Sequence, residues 1–350
     1  MLLELTLSAL IFCLSAAVCA NLLARSVTVS RHSEAVTGAV FAAESAAEHF
    51  KAAEDLGQLS RALGGRLEGA QLTVCYDDAW MAAALPRLEK ALEYIRSDPK
   101  HWDAEHRLIQ RQHSCDTWDF DIDGAADHGD RRHVIATCDQ SGYVLAHQAM
   151  CRMHAHLGHA ADAERWRRDG EAYRDRANRL LWDGLKFRHH VHLDAIDHGS
   201  FDEAGQLAMG NTWAMTRGLA TPEQAQSIIG EYQRRQAKTG DAYPWWSLQP
   251  GYPDDLGYFS APFLKQGGYA NGGLMPWVGG ELCRAAFRFG RESYGVQLLR
   301  DYIRHLKRTG GAHVWYWPDG TPGFRTPNEV PYASWGMAEW LNAAMEGLAG

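Results

Sequence analysis

The sequence predicts an all-α fold, an (α/α)6 toroid built from helical hairpins. Apolar residues recur three and four positions apart in many stretches, for example between residues 85 and 95. Alternating strand patterns are almost absent, apart from a short one near residues 186 to 193. The connections are either short, as at residues 157 to 159, or long, as at residues 97 to 137. Helix pairs joined tightly at one end and loosely at the other fit a ring of hairpins whose long loops gather on one face.

The helical patterns follow one another along most of the chain. In chain order they lie near residues 34 to 55, 85 to 95, 140 to 158, 161 to 181, 205 to 218, 222 to 237, 273 to 289, 298 to 306 and 335 to 348. Thr221 and Pro222 supply a cap and a first-turn proline to one of them. About ten helices are clear where six hairpins need twelve, which indicates a toroid that is incomplete or poorly patterned at its N-terminus.

The organisation of the chain indicates one domain. Further long loops occur near residues 239 to 270 and 309 to 330, but no linker or low-complexity segment divides the sequence. We therefore expect a single catalytic domain over residues 1 to 350. No period of about 34 to 45 residues recurs, which argues against a helical-repeat solenoid.

The composition excludes some classes of partner. The chain has 350 residues, is 46% hydrophobic and carries a formal net charge of -8, as expected of a globular protein with a sizeable core. Its basic residues are scattered among acidic ones, whereas a phosphate-binding surface needs them clustered, so no nucleic-acid partner is expected. Several of the 13 Trp and 13 Tyr fall in loops that contain Gly or Pro, where core packing alone would not place them.

Residues 1 to 24 form an apolar segment that permits two interpretations. Glu4 precedes the apolar run and no Lys or Arg does, which favours a buried helix and a cytoplasmic protein. The small residues ending at Ala20 resemble a signal-peptide cleavage site, so export, with a mature chain starting at Asn21, is the alternative. A transmembrane span is the least favoured interpretation, because the run contains an acidic residue and several small polar ones.

Neither a metal nor an organic cofactor is expected. The seven cysteines include no C-x-x-C pair. His189, His190 and His192 look at first like a ligand cluster. The alternation from Phe187 to Leu193, however, indicates a short strand with histidines on both faces, which we interpret as solvated or hydrogen-bonded.

A turn that suits a sugar ring precedes the helical pattern at 273 to 289. It reads Tyr269-Ala270-Asn271-Gly272-Gly273-Leu274-Met275-Pro276-Trp277. Glycines such as Gly272 let the backbone approach a ligand closely, and Asn271 can both donate and accept hydrogen bonds. Tyr269 and Trp277 offer stacking faces. Further loop aromatics that could stack on a sugar are Trp245, Trp246, Trp315 and Trp317.

Crowded carboxylates mark the long loop at 97 to 137. Asp116, Asp119, Asp121 and Asp123 surround Trp118. Like-charge crowding and burial against aromatic rings would raise the pKa of at least one carboxyl, as a general acid requires. A solvated acidic loop or a calcium-like cage is the alternative, although the spacing is not that of an EF-hand.

A second carboxylate, Glu329, lies in a loop between Pro327 and Pro331, ahead of the last helical pattern, which begins near Trp335. The two prolines restrict the direction of this segment, which favours a presented side chain. A surface glutamate before a helix is the alternative.

Taken in order, the Trp118-Asp119-Phe120 segment, the turn from Tyr269 to Trp277, and Glu329 ahead of Trp335 resemble the six-hairpin glycosidases. That group includes trehalase, the processing α-glucosidase of N-glycans, the glucosidase domain of glycogen debranching enzymes and bacterial α-L-rhamnosidases. The resemblance spans roughly residues 75 to 350. No β-sandwich pattern precedes it, and Ala333-Ser334 and Gly273 depart from trehalase.

The resemblance implies a mechanism and a site. Asp119 would be the general acid, with Asp116 as second choice, and Glu329 the general base of an inverting hydrolase, whose carboxyl groups stand about 6.5 to 9.5 Å apart. The implied sugar contacts are Trp118, Tyr269, Asn271, Gly272, Trp277, Trp335 and the stacking residues Trp245, Trp246, Trp315 and Trp317.

We therefore expect a glycoside hydrolase that acts on an α-linked oligosaccharide or glycoside. Two alternatives remain, another enzyme on the same toroid or a protein without catalytic activity. The toroid also carries sugar 2-epimerases, which use histidines, and unsaturated-uronide hydrolases or lyases. The last alternative is a carbohydrate-binding helical protein without turnover.

Overall fold

The computed structural model describes residues 66–68, 71–73, 78–111, 133–194, 199–259, 261–326 and 334–349. The chain divides into two compact units, Met1–Met81 and Ala82–Gly350. In the first unit, strand β1 (Arg66–Glu68) pairs antiparallel with β2 (Gln71–Thr73). The single domain expected from the sequence stays a prediction, since most of the first unit lies outside the described residues.

Helices dominate the described part of the chain. They are α1 (Asp78–Ser97), α2 (Thr137–His156), α3 (Ala160–Leu181), α4 (Gly210–Thr216), α5 (Pro222–Thr239), α6 (Pro276–Arg288), α7 (Glu292–Thr309) and α8 (Ser334–Ala349). They confirm the helical patterns from residue 85 onward, while the pattern at 34 to 55 lies outside the described residues. Among the helices described here, none is both long and apolar enough to cross a bilayer.

The remaining strands are short antiparallel pairs. They are β3 (Trp102–Asp103) with β4 (Leu108–Ile109), β5 (Val134–Ala136) with β6 (His190–His192), β7 (Leu207–Ala208) with β8 (Leu248–Gln249), and β9 (Trp315–Tyr316) with β10 (Pro322–Gly323). Strand β6 confirms the strand expected near 186 to 193. The other pairs are too short to show an alternating pattern, and β7 replaces the first residues of the helix expected at 205 to 218.

Local signals explain where helix α5 begins and ends. The Thr221 hydroxyl accepts from the backbone N–H of Gln224, and the Gln224 side chain accepts from the backbone N–H of Thr221. This capping box satisfies two of the N–H groups that a helix start leaves unpaired. The helix ends at Gly240, whose φ of 74° is left-handed.

Two of the hairpins have the short turns that the sequence predicts. Residues 157 to 159 join α2 to α3, and residues 289 to 291 join α6 to α7. Helices α2, α4, α6 and α8 pack in succession as an inner row, while α3 packs on α2 and α7 on α6. This alternation of inner and outer helices is the hairpin arrangement expected for the toroid.

The first turns of the inner helices meet at one end. A Cβ added to Gly210 would lie 3.2 Å from the backbone N of Cys138, so α4 begins against α2. Trp213 stacks on Trp277 with ring centroids 4.9 Å apart, which joins the first turns of α4 and α6. A Cβ added to Gly336 of α8 would contact α6 at 3.8 Å from the N of Trp277. The N-terminal ends of the inner helices therefore share one face.

Helices α6 and α8 approach closely because α6 carries two adjacent glycines. A Cβ on Gly279 would lie 2.5 Å from the ring of Trp245 and 2.6 Å from that of Trp340. A Cβ on Gly280 would lie 2.7 Å from Glu339 Cβ and 2.9 Å from the backbone N of Trp340. Backbone atoms cannot move aside as a flexible side chain can, so only glycine fits at position 280.

Gly280→Ala is expected to destabilise the protein by about 1–3 kcal/mol, because the added methyl group would push α8 away from α6. Chemical denaturation, followed by far-UV circular dichroism, measures the change in the free energy of unfolding.

Gly230→Ala is the matched control. Gly230 lies inside α5, and a Cβ there would meet nothing within 4 Å. Alanine at this helical position should stabilise by about 0.5–1 kcal/mol, since it lowers the entropy of the unfolded chain. Equal effects of the two substitutions would contradict the packing of α6 on α8.

Candidate active site

A cavity of about 470 Å³ opens beside the N-terminal end of α2. Its volume lies within the range of about 300–1,000 Å³ that is typical of small-molecule sites. Apolar side chains from α1 and β4 form one wall, and α2 and α4 form the others. The lining residues with polar or aromatic groups are Arg111, Cys138, Asp139, Tyr143, Trp213 and Arg217.

The polar part of the cavity is an ion pair with a second guanidinium nearby. Arg111 Nε lies 3.0 Å from Asp139 Oδ2, and the Asp139 side chain is 25% exposed. Burial raises the pKa of Asp139, while the charges of Arg111 and Arg217 oppose that shift. One carboxyl group and two guanidinium groups thus face the same space, and such groups bind sugar hydroxyls through several hydrogen bonds.

One aromatic residue of the cavity wall, Trp213, belongs to a larger aromatic cluster. Trp213 lines the cavity, carries the Arg217 guanidinium 4.3 Å above its ring centre, and stacks on Trp277. The cluster joins Trp213 and Trp277 to three aromatic residues predicted for sugar binding, Tyr269, Trp315 and Trp317. The structure therefore brings together four of the aromatics that the sequence singled out.

These four side chains differ in what they can offer a ligand. Tyr269 and Trp317 are half-buried, and Arg325 lies 5.3 Å above the Tyr269 ring centre. Trp277 is 8% exposed and Trp315 is fully buried, so Trp315 supports the cluster from within. Gly323 packs directly on the Trp315 ring, since an added Cβ would overlap it.

Asn271 and Gly272 contact the protein's own backbone, which corrects the expectation that they bind a sugar. Oδ1 of Asn271 accepts from the backbone N–H of Tyr252 at 2.6 Å, and Nδ2 donates to the carbonyls of Tyr252 and Leu264 at 3.0 Å each. The side chain is 1% exposed. Gly272 has a φ of 108°, and a Cβ there would lie 3.2 Å from Gly267 Cα. The turn is thus hydrogen-bonded to the backbone at Tyr252 and at Leu264.

Trp245 and Trp246 belong to the main core, so the expectation that they stack on a sugar is not met. They are 0% and 1% exposed. Trp245 stacks on Tyr243 with centroids 4.1 Å apart, and Trp246 stacks on Tyr232 at 6.0 Å. The Trp246 indole N–H donates to Asp241 Oδ2 at 2.7 Å. Partners within the protein cover these rings.

The two predicted catalytic loops lie outside the described residues. Asp116, Trp118 and Asp119 fall in residues 112 to 132, and Glu329 falls in residues 327 to 333. Trp335 is in the first turn of α8, but its side chain is not described. The acid and base assignments therefore stay predictions.

A buried carboxylate that the sequence analysis missed lies on α6. Glu281 is 5% exposed. Burial, together with the nearby Glu339 of α8, raises the pKa of Glu281 to about 7, although Thr216 donates a hydrogen bond to it and Arg284 and Arg217 attract its charge. The charge of Arg217 acts both on this pair and on Asp139 at the cavity, so Arg217 connects the two regions electrostatically.

The sequence contains only weak indications of Glu281 and Asp139. Glu281 is the one charged residue among the first eight of α6, Pro276 to Cys283. A single charged residue in so apolar a stretch is unusual, because such a stretch is buried and buried charges are rare unless they are paired. Asp139 stands in the first turn of α2, a position that favours acidic residues for local reasons as well. Neither signal distinguishes a functional carboxylate from a structural one.

The comparisons with solved structures show the fold. GH63 mannosylglycerate hydrolase from Thermus thermophilus, in complex with glucose, matches with a TM-score of 0.51 at 15% identity over 90% of this chain and 74% of that chain. An uncharacterized conserved protein from the same organism matches with a TM-score of 0.50 at 15% identity over 75% and 70%. A structure named sialidase matches with a TM-score of 0.57 at 12% identity over 77% of this chain and 24% of that chain.

The described chain has the (α/α)6 toroid fold, as the sequence predicts. Two other structures of the mannosylglycerate hydrolase match over 46% of their length, so the chain spans about half of those chains. No family model matches the chain, and no curated protein matches it.

Glu281→Gln is expected to stabilise the protein at pH 8 but not at pH 5. A raised pKa means that the folded state binds the proton of Glu281 more tightly than the unfolded state does. Its contribution to stability is therefore complete below pH 4.5 and is lost as the pH rises through about 7. Glutamine mimics the protonated acid, so the gain at pH 8 should be on the order of 2–3 kcal/mol. Urea unfolding at both pH values measures it.

Glu231→Gln is the control of opposite sign. Burial acts against the charge of Glu231, but hydrogen bonds from Arg234 and Arg235 hold its pKa below the ordinary value. Its contribution is present above pH 4.5, so glutamine should destabilise at both pH 5 and pH 8. A Glu281→Gln effect that does not change between the two pH values would refute the raised pKa.

Proposed function

We propose that this protein is a glycoside hydrolase that cleaves an α-linked glycosidic bond with inversion. The observation that supports it most is the cavity at the N-terminal end of α2, within a fold shared with GH63 mannosylglycerate hydrolase. The cavity has the size of a sugar site, polar groups at Arg111, Asp139 and Arg217, and an adjoining aromatic cluster. That combination suits a carbohydrate, which presents hydroxyl edges and apolar ring faces.

Asp119 is the proposed general acid, with Asp116 as the alternative. The segment that carries both runs from Arg111 to His133, and both of these flanking residues are described. Arg111 lines the cavity and exchanges two backbone hydrogen bonds with Val134 of β5, at 3.1 and 2.9 Å. Both ends of the segment are thus held beside the cavity, which supports the assignment of the acid to this loop.

Glu329 is the proposed general base. Its segment leads directly into Ser334, the first residue of α8, and the first turn of α8 packs against that of α6 at Trp277. Trp277 in turn stacks on Trp213, which lines the cavity. In an inverting mechanism the base activates a water on one face of the sugar while the acid protonates the leaving oxygen on the other.

Proton NMR of the anomeric signals tests the reaction. A panel of α- and β-linked di- and oligosaccharides, with mannosylglycerate among them, is incubated with the wild-type protein. We expect product of the inverted anomer to appear first from an α-linked member. Product with retained configuration, or hydrolysis of β-linked members alone, would contradict the proposal.

Asp119→Asn and Glu329→Gln are each expected to lower kcat by about 10²–10⁴, since each removes an acid or base. Glu105→Gln is the matched control, because Glu105 is exposed in the turn between β3 and β4. It should keep the full rate. Full activity in both loop variants would reassign the chemistry, and Asp139→Asn would then be the next variant to test.

A further inference from the structure

A second cluster of polar side chains lies next to β5, and none of them lines the cavity. His190 and His192 stand on the same face of β6, and Glu203 approaches them from the 3-10 turn Glu203–Gly205. Nε2 of His190 lies 3.0 Å from Nε2 of His192. Oε2 of Glu203 lies 2.9 Å from the His192 atom and 3.3 Å from the His190 atom. Three atoms that commonly bind metals therefore converge on one point.

These three atoms form a triangle, and hydrogen bonds alone cannot account for all three of its contacts. A neutral imidazole carries at most one proton on Nε2, and a protonated Nε2 cannot accept. If both rings donate to Glu203, two donors face each other at 3.0 Å. If one ring donates to the other, the acceptor ring faces the carboxylate oxygen with no proton between them. At most two of the three contacts can be hydrogen bonds, whereas a cation at the centre would satisfy all three.

The dimensions of the triangle match a small metal ion. Three atoms with these spacings lie roughly 1.8 Å from the centre of the circle through them, so an ion roughly 1 Å above their plane would be about 2.0–2.1 Å from each. Those are the Zn–N and Zn–O distances found in proteins. Imidazole nitrogens favour Zn²⁺ and its neighbours among the transition metals over Ca²⁺ or Mg²⁺, which prefer oxygen.

The surroundings hold the ligands in place. Tyr252 donates its hydroxyl to Oε1 of Glu203, the carboxylate oxygen that does not face the histidines. Hydrogen bonds from a second layer of residues are typical of metal ligands, because they fix the orientation of the ligand. The side chains of His190, His192 and Glu203 are 0%, 14% and 13% exposed, so the site is enclosed but reachable from solvent.

We propose that His190, His192 and Glu203 bind one divalent transition-metal ion of the zinc class. Three protein ligands leave a fourth position for water or another group. The ion would fasten β6 to the 3-10 turn. Since His192 pairs with Val134, and the N–H of Leu193 donates to the carbonyl of His133 at 2.9 Å, it would also steady one end of the segment that carries Asp119.

This site departs from the expectation of a metal-free protein. The sequence pattern predicts a short strand with histidines on both faces, whereas in the structure strand β6 places His190 and His192 on one face. His189 precedes the strand, and its ring contacts that of His190 with centroids 4.7 Å apart. The pattern did not show that Glu203, eleven residues beyond His192, returns to the same face.

Zinc binding by the full chain, freed of any histidine tag, tests the proposal. The protein is stripped with a chelator, loaded with Zn²⁺ and desalted, and metal is measured by mass spectrometry. We expect one zinc per chain, and a Co²⁺-loaded sample with the visible absorption bands of a four- or five-coordinate nitrogen and oxygen site. A stripped wild-type chain that binds no zinc, and whose melting temperature is unchanged by added zinc, would overturn the proposal.

Substitutions locate the ion. Glu203→Gln keeps the shape of the side chain and its acceptor for Tyr252, and His192→Gln removes one nitrogen; each should lower zinc affinity at least tenfold. Zinc retained at full affinity by both variants would overturn the assignment. Should a variant fail to fold, the stoichiometry and cobalt spectrum of the wild type decide the matter.

His154→Gln is the matched control. His154, His159 and Glu89 form another cluster of two histidines and one glutamate. Here His154 uses different ring atoms, with Nε2 3.1 Å from Glu89 and Nδ1 3.3 Å from His159, so the three side chains do not converge on one point. This variant should bind zinc as the wild type does, and loss of zinc here would place the ion elsewhere.

Discussion

The close packing of α6 against α8 determines much of what surrounds the candidate active site. Gly279 and Gly280 remove two side chains from α6, so the backbone and rings of α8 lie directly on it. Trp340 then stacks on Tyr302 of α7, with centroids 4.3 Å apart. The same approach sets the first turn of α8 against Trp277, which belongs to the aromatic cluster beside the cavity. Because α8 directly follows the segment that carries Glu329, a shift of α8 would also move the point at which that segment ends.

This packing also explains the buried charge between the inner helices. With α8 so near, Glu339 lies close enough to Glu281 to oppose its ionisation, and burial adds to that effect. Arg217 attracts both charges and also lines the cavity. Arg288 donates to the carbonyl of Thr216, the residue that hydrogen-bonds Glu281. Charges on α4, α6 and α8 are thus coupled, and a charged ligand near Arg217 would change the pKa of Glu281.

The sequence predicted the helices well because each buries an apolar stripe of 3.6-residue period, which is a local property. It did not predict the two-residue strands, which are too short for a pattern, nor β7 at the start of a predicted helix. Aromatic residues were harder to interpret. Tyr269, Trp277 and Trp317 do join the cluster that contains Trp213 of the cavity wall, but Trp245 and Trp246 belong to the main core, and a Gly/Pro-rich loop looks the same in both cases. Arg111, Asp139 and Arg217 meet only through the tertiary fold.

Asn271 shows how a motif can serve a site without touching its ligand. Its carboxamide directs all three hydrogen bonds to the backbone of Tyr252 and Leu264. By fixing the Tyr252 backbone it also sets the position of the Tyr252 hydroxyl, which holds the Glu203 carboxylate. Glu203 faces His192, whose strand pairs with the residues that follow the Asp119 segment. The turn predicted to contact a sugar thus supports the strand that pairs with Val134, and Gly272 has the positive φ that this turn requires.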